Sequence, residues 1–97
     1  MEARPEERGR SSDESRNLAE ERLQQGDYAA AVHYFEEAVD QAPEAPDARL
    51  GLASAYDCLE KAPEATRQYE EALRVAQDSP EPYLGLADMF HREGRAR

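Results

Sequence analysis

Apolar residues recur at intervals of three and four positions along most of the chain. The clearest stretch contains Tyr28, Ala31, Val32, Phe35, Ala38, Val39 and Ala42. This spacing places the side chains on one face of a helix, whereas a half-buried strand would need every second position. The alternating pattern of a strand does not occur in the sequence. The chain is therefore predicted to be all-α.

Turn-forming residues divide this pattern into five predicted helices. A first helix starts at Ser11 or Ser12 and ends at Gln25-Gly26-Asp27, and a second starts near Tyr28. The other three are predicted at about 47–59, 63–76 and 79–93. Short breaks between helices of this length predict helical hairpins.

Local sequence signals mark where two of the predicted helices begin. Ser11 followed by Glu14 matches a capping box, in which each residue satisfies a backbone N–H of the other. Residues 1–11 lack apolar periodicity and are predicted to form a disordered charged leader. Pro63 is expected to open the fourth helix, because its missing N–H needs no partner there.

The chain repeats itself at an offset of 34 residues. Leu50-Gly51-Leu52-Ala53 aligns with Leu84-Gly85-Leu86-Ala87, and Phe35 aligns with Tyr69. A period of 34 residues with two helices in each unit is typical of tetratricopeptide repeats. The chain resembles that family over residues 12–97.

The resemblance implies a right-handed superhelical array of helix-turn-helix hairpins built from five helices. It divides the chain into the leader 1–11, repeat 1 at 12–45, repeat 2 at 46–79 and the first helix of an incomplete repeat 3 at 80–97. One hairpin cannot bury its apolar face alone, so neighbouring hairpins must stack. Two positions depart from the family pattern: its early aromatic residue is kept only as Tyr83, and its turn glycine is Glu60 in repeat 2.

Charge and composition exclude several classes of protein. The formal net charge is −10, which argues against nucleic acid as a partner because phosphate binding needs a basic surface. No apolar run is long enough to cross a membrane. The single cysteine, Cys58, cannot form an internal disulfide, which favours a reducing, cytoplasmic location.

The reactive side chains form no catalytic pattern. His33 and His91 have no histidine or cysteine at helical spacing, and no histidine lies near Cys58, which we expect to be partly buried. We therefore predict no metal site and no activated nucleophile. Glu36-Glu37 and Glu70-Glu71 recur one repeat apart, which favours a solvated helix face over acid–base catalysis. No cofactor is expected, and the chain is predicted not to be an enzyme.

The family resemblance also implies where a partner would bind. In this family the first helix of each hairpin lines a concave groove. The matching positions are Arg16, Glu20, Asp47, Leu50, Gly51, Ser54, Asp57, Leu84, Gly85, Asp88 and His91, with Asp13, Cys58, Glu81 and Arg92 beside them. This surface is acidic and has an apolar strip at Leu50 and Leu84, although a charged run of this kind is often only a solvated face.

Gly51 and Gly85 need their own explanation, because glycine inside a helix costs about 1 kcal/mol relative to alanine. Two explanations are equally favoured. The glycines could open the floor of the groove, or they could allow close backbone packing between neighbouring first helices.

The predicted function is protein–protein interaction, as a scaffold or adaptor. Family members that serve chaperones hold a carboxylate-ending peptide with basic groove residues, and only Arg16 fits that role here. A basic and apolar protein segment is therefore the expected ligand. The alternative is that the chain is a fragment of a longer tetratricopeptide repeat protein whose activity lies in other domains.

The fifth helix is too apolar to be a polar cap for a repeat array. Its residues Tyr83, Leu86, Met89 and Phe90 are expected to leave some apolar surface exposed, and such patches mark interfaces. We expect either a homodimer through this helix or further repeats that continue the array.

Overall fold

The computed structural model describes residues 10–96, and five α-helices account for most of them. They are α1 (Ser12–Gln24), α2 (Tyr28–Gln41), α3 (Pro46–Cys58), α4 (Ala62–Val75) and α5 (Glu81–Ala96). No strand occurs within residues 10–96, so the all-α prediction is confirmed. Residues 1–9, most of the predicted disordered leader, lie outside this range.

The helix starts follow from local sequence. The Ser11 hydroxyl accepts a hydrogen bond from the Glu14 N–H at 3.1 Å, and the Glu14 carboxylate accepts one from the Ser11 N–H at 2.9 Å. The predicted capping box is therefore confirmed, and its backbone hydrogen bond lowers the pKa of Glu14. Asp27 caps α2 through the Ala30 N–H. Helix α4 begins at Ala62, one residue before the predicted Pro63.

The helices form a stacked array of hairpins. Each helix packs against the next one along the chain, and α3 also packs against both α1 and α5. The three first helices of the hairpins are therefore neighbours, with α2 and α4 on the other side of them. This is the arrangement that the repeat predicts.

Two core clusters recur one repeat apart. The first contains Ala19, Ala31, Phe35, Leu52 and Ala55, and the second contains Ala53, Ala65, Tyr69 and Met89. The alanines in both clusters are fully buried. Small residues at these positions allow the two helices of a hairpin to approach closely, while one aromatic ring fills each remaining gap.

Each aromatic ring lies directly over a glycine of the next hairpin. A Cβ atom at Gly51 would overlap the ring of Phe35, and one at Gly85 would overlap the ring of Tyr69. Phe35 is only 1% exposed, so its ring is closely surrounded by neighbouring residues. Of the two explanations that we considered, close packing is therefore found, although the partner is a ring of a second helix and not the backbone of a neighbouring first helix.

Buried Ser15 replaces the usual aromatic residue in α1 and is satisfied by a polar cluster. Its hydroxyl donates to Glu37 at 3.1 Å. Glu37 also accepts hydrogen bonds from Arg10 and lies 3.0 Å from the His33 ring nitrogen. The Arg10 guanidinium stacks over the Tyr34 ring as well. Arg10, which we placed in the leader, is thus held against α2.

The hairpin turns use the left-handed backbone conformation in both repeats. Gly26 has φ of 83° and Glu60 has φ of 60°. An L-residue with a side chain is strained in this region, at a cost of about 1–2 kcal/mol. Glu60 therefore carries strain that Gly26 avoids.

We predict that Glu60→Gly stabilises the chain by about 1 kcal/mol, because glycine adopts the left-handed conformation without the Cβ clash. Urea unfolding followed by circular dichroism measures the difference. Glu44→Gly is the control, since Glu44 lies in another turn without positive φ and should gain nothing. An unchanged or lower stability of Glu60→Gly would show that the turn is not strained.

We predict that Gly51→Ala destabilises the fold by about 1–3 kcal/mol, because the added methyl group overpacks the Phe35 ring. The sign of the stability change distinguishes overpacking from helix propensity, because alanine is favoured over glycine by about 1 kcal/mol at a helix position where a Cβ meets no neighbour. Gly94→Ala in α5 is the matched control, because a Cβ there meets open space. Equal gains from both substitutions in urea unfolding would refute the ring contact.

Candidate functional site

A concave surface forms where α1, α3 and α5 lie side by side. Its central cavity holds about 230 Å³. Six residues predicted for the groove line it together: Arg16, Glu20, Asp47, Leu50, Gly51 and Ser54. Glu81, at the start of α5, closes one side. We call this surface the α1–α3–α5 concavity.

The floor of the concavity is apolar and comes from the core itself. Leu23, Leu50, Gly51 and the Phe35 ring line it. Leu23 and Phe35 were missed by sequence reasoning. Leu23 lies one repeat before Asp57, a predicted groove position, so the offset of 34 residues would have found it. The ring of Phe35 reaches the floor only because Gly51 has no side chain.

One end of the concavity has its charges paired within α1. Arg16 donates to Glu20 at 3.0 Å and lies 3.7 Å from Asp13. In contrast, the described ion pairs leave Asp47 and Glu81 without a basic partner among the side chains that the structure defines. These two carboxylates therefore carry the uncompensated negative charge of the cavity wall.

Arg92 joins α5 to α3 beyond the cavity. Its guanidinium donates to Asp57 at 2.7 Å and lies 3.3 Å from Asp88. The hydrogen bond to Asp57 raises the pKa of Arg92. Asp57 and Asp88, which we expected to face a ligand, thus share one guanidinium of the same chain, which leaves this group with a single net negative charge.

Tyr69 connects the second core cluster to the same surface. Burial raises the pKa of its phenol, while the neighbouring Ser54 side chain lowers it. The nearby carboxylates of Asp57 and Asp88 also raise the pKa of Tyr69, and Arg92 lowers it. The phenol therefore lies near the charged groups around Arg92.

The remaining predicted groove residues lie outside the central cavity. Leu84 is 66% exposed and His91 is also exposed on α5. Gly85 is covered by the Tyr69 ring. Of the apolar strip that we predicted, Leu50 thus lies on the floor of the cavity, whereas Leu84 lies on open surface.

The structure corrects two expectations about exposure. Cys58, the last residue of α3, is exposed and not partly buried. In α5, Met89 is only 2% exposed and Leu86 packs against the second core cluster. Both face α4, so Met89 cannot contribute to an outer contact, whereas Tyr83 and Phe90 are each 56% exposed.

No group of three or more histidine, cysteine or carboxylate side chains that could hold a metal ion occurs among the described residues. No helix in that part of the chain is long and apolar enough to cross a bilayer.

Comparison with protein-family models gives a match to the tetratricopeptide repeat over residues 22–88. The match extends from the end of α1 into α5 and covers more than half of the chain. A comparison with curated proteins finds no match.

Proposed function

The chain belongs to the tetratricopeptide repeat family, and we propose that it holds a basic and apolar segment of a partner protein in the α1–α3–α5 concavity. Repeats of this family generally mediate protein–protein interaction, and the family is typically a non-catalytic scaffold. We also propose that this scaffold acts in the cytoplasm, because the lone Cys58 cannot form an internal disulfide.

The observation that carries this proposal is the pair of uncompensated carboxylates beside an apolar floor. Asp47 and Glu81 line the same cavity as Leu50 and Leu23. A lysine or arginine side chain suits this combination, because its methylene stem packs on apolar surface while its charged head remains near the carboxylates. The overall charge of −10 adds long-range attraction for a basic segment.

The repeat sets a spacing for the ligand. Asp13, Asp47 and Glu81 occupy equivalent positions in the first turns of α1, α3 and α5. Packed helices lie about 8–10 Å apart, and a segment in the polyproline II conformation has three residues per turn and advances about 3.1 Å per residue. A segment that crosses the three helices in this conformation would therefore present a side chain to one of these carboxylates at about every third residue.

We predict that a labelled peptide with lysine at every third position binds more tightly than a peptide of the same composition in scrambled order. Fluorescence anisotropy measures both, together with a version that has glutamate in place of lysine. Binding should weaken as salt rises, because exposed charge attraction is screened. The scrambled peptide tests the spacing separately from the net charge.

The variant Asp47→Asn with Glu81→Gln should lower the affinity about tenfold, because it removes both uncompensated charges. Acids in a first helical turn also stabilise the helix through its dipole. Glu64→Gln is therefore the control, since Glu64 also lies in the first turn of a helix, α4, but outside the concavity. The proposal is wrong if Glu64→Gln weakens binding equally, or if the glutamate peptide binds as well as the lysine peptide.

A further inference from the structure

The repeat relates the cavity of the concavity to a second position, between α3 and α5. Three residues that line the cavity are Leu23, Phe35 and Ser54. At an offset of 34 residues, their counterparts are Asp57, Tyr69 and Asp88. We call these three counterparts the α3–α5 subsite.

The α3–α5 subsite combines an aromatic ring with two carboxylates. Tyr69 is buried beneath Gly85, as Phe35 is beneath Gly51. The charges of Asp57 and Asp88 both raise the pKa of Tyr69, so both carboxylates lie near its phenol. Where the first cavity has an apolar leucine, this position has a carboxylate, which suits a cationic ligand.

A guanidinium already lies at this position. Nη2 of Arg92 donates to both carboxylate oxygens of Asp57, with the longer of the two hydrogen bonds at 2.7 Å. Nε of the same side chain lies 3.3 Å from a carboxylate oxygen of Asp88. Two different nitrogens of one planar group thus contact two carboxylates, which the single nitrogen of a lysine cannot reproduce.

We propose that the α3–α5 subsite binds an arginine side chain of the partner segment, and that Arg92 is an internal competitor for it. The source of the arginine rests on the proposed function, because a segment that crosses the three helices also passes this position. The affinity of the subsite for a guanidinium is a property of this chain alone.

The charges and the packing around Arg92 support its exchange for another arginine. Two carboxylates share one guanidinium, so a net negative charge remains to attract a second cation. The Arg92 side chain is half-exposed, and exposed ion pairs contribute little to stability. Helix α5 is held by other contacts, since Pro82 and Met89 are buried and Gly85 lies on the Tyr69 ring. Release of Arg92 therefore leaves α5 in place.

Binding of methylguanidinium to Arg92→Gln tests the subsite without any peptide. Nuclear magnetic resonance of the isotope-labelled chain should show saturable shifts of the Asp57 and Asp88 amides in the millimolar range. The unchanged chain should need more methylguanidinium, because Arg92 competes. Methylammonium has the same charge but one nitrogen, so it should bind more weakly. The shifts should be lost when Asp57→Asn is added to Arg92→Gln.

Arg74→Gln is the matched control. Arg74 also joins two carboxylates, because it donates to Glu71 at 3.1 Å and lies 3.8 Å from Glu44. Its substitution changes the net charge equally but outside the concavity, so the Asp57 and Asp88 amides should respond as in the unchanged chain. Circular dichroism checks folding, and Arg92→Lys replaces Arg92→Gln if the latter unfolds, because it keeps a cation beside Asp57.

Peptide binding tests the competition. Arg92→Gln should raise the affinity for a peptide with arginine at every third position by about fivefold, the upper end for an exposed ion pair. The gain should be smaller for the lysine peptide, and Arg74→Gln should give none.

The subsite proposal is overturned if methylammonium binds as well as methylguanidinium, or if the shifts persist with Asp57→Asn. It is also overturned if the arginine peptide binds the unchanged chain and Arg92→Gln equally. Methylguanidinium binding without binding of either peptide would support the subsite and contradict the proposed function. Lysine-peptide binding without methylguanidinium binding would do the reverse, so the two proposals can fail separately.

Discussion

The contact between an aromatic ring and a backbone glycine is the constraint on which this array depends. Phe35 of α2 and Tyr69 of α4 each lie against the glycine of the next first helix. Without a Cβ atom at Gly51 and Gly85, that helix can approach the ring to contact distance. This approach fixes how far apart consecutive hairpins lie and how each first helix is rotated about its axis.

The functional surface follows from the same contact. Because Gly51 has no side chain, the buried Phe35 ring lies at the floor of the concavity, so the core itself supplies that floor. The rotation of α3 and α5 places Asp47 and Glu81 on the walls of one cavity. It also brings Arg92 within hydrogen-bonding distance of Asp57. Helix rotation therefore determines which carboxylates remain available to a partner.

Much of the fold could be predicted because the repeat supplies the pattern more than once. Helix number, the buried alanines and the capping box all followed from local spacing and the offset of 34 residues. The role of Gly51 could not be predicted, because sequence spacing does not identify which side chain faces a glycine. The pairing of Arg92 with Asp57 joins residues 35 positions apart, and neighbouring residues Met89 and Phe90 differ in burial only through the rotation of α5.

A double-mutant cycle in urea unfolding tests the ring contact most directly. It compares Gly51→Ala, Phe35→Leu and the two changes together. If the ring is the obstacle, Gly51→Ala destabilises the unchanged chain but is neutral or stabilising in the Phe35→Leu background, with a coupling energy of about 1–3 kcal/mol. Additive effects of the two substitutions would contradict the account, because they would show that the methyl group at position 51 does not meet the Phe35 ring.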